Sequence, residues 1–197
     1  PGDGCTLTTN RFSYITESKD GDIWCKSYDN RAYLFDIQTE KFIDILLPIE
    51  SSLQQTNIVS NIYTLNKGIT WITCEQGYAF RINEQTCKEG KDIILYSSFN
   101  QNLKGNKIFD IYEDSDGDEW IMTDKGVTII GKKRINSDYP FKMVKEDNKK
   151  IYLISTSGKI AIYDPKNGNI KFQELPCPVT DIYSISSISP SNDRIGL

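Results

Sequence analysis

The sequence predicts an all-β fold built from repeated four-stranded antiparallel units. Three observations carry that expectation: a repeat anchored on aromatic residues, glycines at fixed offsets around each anchor, and strand-forming runs between those glycines.

The anchors are Trp24, Trp71 and Trp120, with Tyr152 as a fourth member, at intervals of 47, 49 and 32 residues. Three positions before them stand Gly21, Gly68, Gly117 and Lys149, and six positions after stand Asn30, Gly77, Gly126 and Gly158. Nine positions before are Ile15, Ile62, Ile111 and Met143; twelve before are Phe12, Val59, Ile108 and Pro140. Gly after Asp, as in Asp20-Gly21 and Asp116-Gly117, is hairpin chemistry that needs a positive φ. Gly or Asn six after the anchor marks a second such turn. In the third copy the strands are expected at 108–113, 119–123 and 127–130, and in the fourth at 143–145, 151–156 and 160–163. A third turn follows at 36–40, 83–86 and 164–169, then a short outer strand near 42–45, 93–96 and 172–175. Four antiparallel strands per repeat of this length describe a β-propeller blade.

The copies span about 5–47, 53–98, 103–136 and 140–176. A fifth opens at 179–197, where Asp181–Ile185 resembles a first strand and Ile195 takes the anchor position. Four to five blades with an open end fit a fragment of a larger propeller better than a closed ring.

Composition removes several function classes. The 197 residues contain no histidine, so no nucleophile–His pair, His-bearing zinc site or phospho-accepting His lies here. The net charge of −4, with scattered Lys and Arg, argues against a nucleic-acid surface. No apolar run approaches the ~20 residues of a membrane helix. The chain opens at Pro1, so the lack of a leader says nothing about compartment. Of five cysteines, Cys25 and Cys74 sit in apolar runs as small buried hydrophobes, and pairing among Cys5, Cys87 and Cys177 stays open.

WD repeats need a Gly-His element that is impossible here, kelch repeats need a Gly-Gly pair that is absent, and Asp-box turns fail at Lys19 and Ser115. The pattern resembles instead the two-component regulator propeller repeat. Leu103, Ile108, Ile111, Glu113-Asp114, Gly117, Trp120-Ile121, Thr123 and Gly126-Val127 follow its unit closely. The first copy keeps Leu7, Phe12, Ile15, Glu17, Gly21 and Ile23-Trp24 and departs at Cys25 and Asn30; the second lacks the acidic pair; the fourth has Tyr152 for Trp and Lys149 for Gly. The resemblance implies a seven-bladed propeller in the periplasmic sensor region of a Bacteroides-type hybrid two-component system. It further implies a glycan or oligosaccharide signal, a homodimeric receptor, and a histidine kinase with a membrane helix elsewhere in the same chain. A scaffold propeller without a small ligand is the alternative, with a glycan lyase or hydrolase behind it.

Glu113–Glu119 looks like a calcium loop, but setting Gly117 at the loop's sixth position puts Tyr112 and Thr123 where end ligands are needed, so an acidic hairpin is expected. The fixed place of the three Trp suits packing between blades rather than sugar stacking. Glu17 and Asp20 share one turn, unlike paired catalytic carboxylates on separate strands. Tyr28, Tyr78 and Tyr139 lie outside the repeat columns and are free to act in recognition. No catalytic residue, metal site, cofactor, nucleic-acid contact or membrane contact is assigned, and the ligand-contact residues are left open.

Overall fold

The computed structural model describes residues 7–48, 58–100 and 102–173 together with strands Ser187–Ser189 and Arg194–Gly196. The chain divides into two units, Pro1–Lys107 and Ile108–Leu197.

The first unit holds two blades. Blade 1 is β1 (Phe12–Glu17), β2 (Ile23–Ser27), β3 (Ala32–Asp36) and β4 (Lys41–Asp44), paired antiparallel in chain order. Blade 2 is β5 (Val59–Leu65), β6 (Ile69–Cys74), β7 (Tyr78–Asn83), a short helix α1 (Glu84–Cys87) and β8 (Ile93–Ser97). The turn expected at 83–86 is that helix, started by the Asn83 side chain, which accepts from the Gln85 N–H at 3.0 Å.

The second unit opens with blade 3, formed by β9 (Ile108–Glu113), β10 (Glu119–Thr123) and β11 (Gly126–Ile130). Blade 4 contains β12 (Phe141–Asp147), β13 (Lys150–Ser155), β14 (Ile160–Tyr163) and β15 (Ile170–Gln173). A last hairpin joins β16 (Ser187–Ser189) to β17 (Arg194–Gly196) and pairs Ile195 with Ile188. Asp181–Ile185, Cys5, Cys177 and the copy limits at 5, 53, 176 and 179 lie outside the described residues.

The turn columns sit in turns at positive φ with one departure: Gly126, expected in a turn, instead opens strand β11, with the two-residue loop at 124–125 before it. Gly21, Gly68, Gly117 and Lys149 have φ of 87°, 69°, 79° and 64°, and Asn30, Gly77 and Gly158 have 63°, 80° and 80°. In the first and third blades the Asp-Gly turn closes through Gly21 N–H to Ser18 O (3.1 Å) and Gly117 N–H to Asp114 O (2.8 Å). These are three-residue hairpins ending on a left-handed residue.

The fourth copy departs from the expected alignment by one residue. Its first turn has two residues, because Asp147 pairs with Lys150, whereas Glu17 pairs with Ile23 and Glu113 with Glu119 in longer loops. The partners opposite Cys25, Ile72 and Ile121 are Ile15, Ile62 and Ile111; opposite Leu153 it is Val144, not Met143. Phe141 likewise replaces Pro140. All four first strands also break register at the same place, beside Phe12, Val59, Ile108 and Phe141. This repeated bulge bends each strand.

The core is made at the blade faces. In the first unit Trp24, Ala32 and Leu34 of blade 1 pack on Ile62, Ile72, Phe80 and Ile82 of blade 2. In the second unit Trp120, Met122 and Val127 pack on Val144, Leu153, Ala161 and Tyr163 of blade 4. One rule covers both: the anchor face of one blade meets the opposite face of the next. Ile15 is 64% exposed although Ile62 and Ile111 are buried, since no blade precedes Ile15 among the described residues.

Blade 3 has three strands among the described residues rather than the expected four. The chain turns away at Gly131, where φ is 149° and a Cβ would fall 1.9 Å from Asp118 Oδ1. The next two N–H groups, of Lys132 and Lys133, donate to the Asp118 carboxylate at 2.8 and 2.9 Å. The chain then ties to blade 4 through Tyr163 OH to Arg134 O (2.8 Å) and Asn136 N–H to Gly168 O (2.8 Å). Residues 131–140 thus form a strap against blade 4 instead of an outer strand.

Candidate functional site

Each blade is a meander, so its two ends carry different turns. One end holds the turn between the second and third strands and the start of the first strand. In the first unit this shared end is fixed by Tyr28 N–H to Arg11 O (3.1 Å), Glu75 N–H to Ile58 O (3.0 Å) and Val59 N–H to Asn30 O (3.3 Å). The opposite end holds the Asp-Gly turns.

The Asp-Gly end is charged, and its charges are internally matched. In blade 3, Asp114 Oδ1 accepts from the N–H groups of Asp116 and Asp118, both at 3.0 Å, and Asp114 Oδ2 accepts from Trp120 Nε1 at 2.7 Å. Lys133 Nζ reaches Asp114, Asp116 and Asp118 at 3.0, 2.5 and 3.6 Å. Burial works against the lysine charge, but the Asp116 and Asp114 carboxylates outweigh it and raise the Lys133 pKa. Burial also pushes Asp118 up, yet the N–H donors of Lys132 and Lys133 and the ammonium hold it below the ordinary carboxylate range. The buried carboxylates therefore point at protein donors, and the indole N–H that the repeat places six residues later takes one of their oxygens. Ser115 adds a link to blade 4, its N–H and hydroxyl both donating to Glu146 at 2.6 Å.

Blade 1 solves the same problem with other residues. Ser18 stands in the place of Asp114, and its hydroxyl has no partner among the described residues. Trp24 Nε1 adjoins the Glu84 carboxyl group of blade 2 without a hydrogen bond of ordinary geometry. Glu84 is buried, accepts from Thr70 Oγ1, and has no hydrogen-bond partner for its second oxygen among the described residues; burial raises its pKa. Lys88, also from blade 2, clamps Asp22 and Asp36 of blade 1 at 2.8 and 3.0 Å. Glu17 is exposed at the end of β1 and Asp20 is exposed in the turn.

The other end carries exposed aromatic rings. Tyr28 is 61% exposed with the Arg11 guanidinium 4.9 Å over its ring. Phe99 is 75% exposed and stacks on Tyr78, ring centroids 6.2 Å apart. In the second unit Tyr139 packs edge-on against Phe172 at 5.0 Å, its hydroxyl 3.2 Å from Ser157 Oγ, and Phe172 is 40% exposed. The three anchor tryptophans are fully buried and offer no ring to a ligand. Of the tyrosines singled out from sequence, Tyr28 is the most open, while Tyr78 and Tyr139 support neighbouring phenylalanines. Phe99 and Phe172 were missed. Phe99 follows the outer strand of its copy, outside every repeat column, a position that marks it in the same way as the tyrosines. Cys25, Cys74 and Cys87 are free and buried; burial pushes the Cys74 thiol to about 12 and the Cys87 thiol to about 11.

Residues 102–125 match the family model described as two component regulator propeller. No curated protein sequence matches the chain. Among solved structures, the chain is similar to the extracellular domain of a candidate hybrid two component system, BT3049 of B. thetaiotaomicron. That match has 18% identity and a TM-score of 0.61, over 96% of this chain and 27% of the other. The extracellular domain of a candidate one component system, BT4673 of B. thetaiotaomicron, matches at 19% identity and TM-score 0.62, over 92% and 27%. Virginiamycin B lyase from Staphylococcus aureus matches at 17% identity and TM-score 0.57, over 87% and 58%. The chain thus spans about a quarter of the length of the two sensor domains. At these identities the likeness shows the fold, a fragment of a larger β-propeller.

Proposed function

We propose that the chain is part of the extracytoplasmic, non-catalytic sensor propeller of a two-component system, binding an oligosaccharide at the aromatic end of its blades. The observation that carries the reading is the regulator-propeller match at 102–125, on the one copy whose acidic turn, anchor and glycines are complete. Tyr28 and Phe99 add the chemistry: flat apolar faces in water stack on sugar rings, and the polar groups of Arg11 and Asp29 beside Tyr28 suit hydroxyls. Binding there would bias the arrangement of the intact receptor toward one signalling state, with the kinase and the membrane helix elsewhere in the same protein and the receptor a homodimer. No helix among the described residues is long and apolar enough to cross a membrane. The lyase among the similar folds does not alter the reading, since a shared propeller does not carry a shared reaction.

The test is a thermal-shift screen of the intact extracytoplasmic protein against oligosaccharides of graded length. Binding to the folded state raises the melting temperature by mass action. A rise confined to one glycan class is expected. A flat response across the panel from folded protein overturns the sugar reading, and depolymerisation of any glycan overturns the non-catalytic one.

A further inference from the structure

The two ends of blade 1 differ in how their charges are met. At the Asp-Gly end, Lys88 answers Asp22 and Asp36 at 2.8 and 3.0 Å. At the aromatic end, Arg31 pairs with Asp44, and Asp29, which accepts from Thr8 Oγ1 at 3.3 Å, lies close enough for its charge to reach Asp44. Two cations of that end, Lys26 and Arg11, have no carboxylate partner among the described residues. Lys26, two residues before Tyr28, gives one donor to Ser60 O at 3.2 Å. Arg11 is exposed, with its guanidinium carbon 4.9 Å over the Tyr28 ring, and the backbone beneath is fixed by Tyr28 N–H to Arg11 O at 3.1 Å. Stacking uses the flat face of the guanidinium and none of its N–H groups, which stay directed outward in its plane. Tyr28 keeps 61% of its surface in water, so a sugar can rest on the free part of the ring beside those donors.

We infer that the sugar bound at Tyr28 carries an anionic substituent, a carboxylate or a sulfate, gripped by Arg11; the inference rests on the oligosaccharide reading above and narrows its ligand. A hydroxyl oxygen takes one N–H from the guanidinium. A carboxylate or sulfate takes two parallel N–H groups, and each bond is strengthened by the opposite charges. Tyr28 supplies the orientation, since a guanidinium already laid on a ring has less freedom to lose when the acid group arrives. Lys26 adds a second positive charge from the same hairpin. The chain as a whole carries −4, so an acidic glycan is repelled from most of its surface and drawn to this rim.

The probes are short oligosaccharides in matched pairs, titrated into the intact protein by calorimetry: oligogalacturonate, alginate and hyaluronan fragments against their methyl esters, and sulfated galactan fragments against the desulfated sugars. One acidic series binds saturably, its neutral partner binds about tenfold or more weakly, and raised salt narrows the gap. Which series binds tells carboxylate from sulfate. Arg11→Gln abolishes the preference for the acidic member and leaves the neutral one bound as before, while Arg11→Lys, which keeps the charge without the planar fork, retains part of it. Lys41→Gln removes one charge from the exposed far end of the same blade and leaves affinity unchanged. A neutral member that binds as tightly as its acidic partner, or a preference that survives Arg11→Gln, overturns this inference and leaves the sugar reading standing. Equal losses in Lys41→Gln and Arg11→Gln, or displacement of the sugar by inorganic sulfate at equal concentration, reduce the effect to general charge and likewise overturn it. No binding by any member, acidic or neutral, overturns the sugar reading and this inference together.

Discussion

Replacing Asp114 by alanine removes the acceptor around which the third-copy turn is built. Its carboxylate takes hydrogen bonds from Asp116 N–H, Asp118 N–H and Trp120 Nε1 and faces Lys133 at 3.0 Å, all while buried. The indole N–H then sits in the core with no acceptor, which costs about 1–3 kcal/mol. Of the two turn N–H groups, that of Asp116 is closer to solvent and recovers part of its loss while that of Asp118 stays buried, and Lys133 keeps Asp116 and Asp118. The sum is a destabilisation of about 3–4 kcal/mol. Urea unfolding of the intact protein, followed by indole fluorescence, measures it through the shift in midpoint at constant slope. Asp114→Asn, which keeps one carbonyl acceptor, falls between the native protein and the alanine variant. A change in Asp114→Ala below about 0.5 kcal/mol would show that the turn does not depend on this carboxylate and refute the reasoning.

Three further perturbations follow from the same geometry. Lys149 holds a left-handed φ of 64° where other copies have glycine, so Lys149→Gly stabilises blade 4 by up to about 1 kcal/mol in the same urea assay. Gly131→Ala places a Cβ on Asp118 at a φ of 149° and loosens the strap, with an expected loss of about 2–3 kcal/mol and faster amide exchange at Lys132 and Lys133. Burial raises the carboxyls of Glu84 and Asp110, the latter to about 6, so both hold their protons more tightly folded than unfolded. Their contribution is therefore present at low pH and lost as pH rises, for Asp110 between about 4 and 6. Glu84→Gln and Asp110→Asn flatten that part of the stability–pH curve and raise stability near neutral pH relative to the native protein; an unchanged slope counts against the burial of these carboxyls.

Much of the fold was legible because the repeat places conformationally demanding residues at fixed offsets. The positive φ at Gly21, Gly68, Gly77, Gly117 and Gly158 follows from residue type alone, and that at Asn30 from asparagine's tolerance of the same region. The burial of Trp24, Trp71 and Trp120 was legible from their fixed place in the repeat. The one-residue slip in the fourth copy was not, because Lys149 aligns on the anchor while a shorter hairpin moves the strand before it. Nor was the strap, since its cause is the approach of Gly131 and two N–H groups to Asp118, a contact between residues 13 to 15 positions apart. The candidate ligand surface was half legible. Position outside the repeat pointed to Tyr28, but the exposure of Phe99 and Phe172 depends on how each outer strand ends.

The most direct test of the central claim is calorimetric titration of the intact protein with the glycan class that stabilises it, native against Tyr28→Ala/Phe99→Ala. Both rings are mostly in solvent, so the double variant should unfold within about 1 kcal/mol of the native protein. The account predicts saturable binding by the native protein that weakens about tenfold or more in the variant. Equal affinity in the two proteins would contradict it and move the binding surface away from the aromatic end.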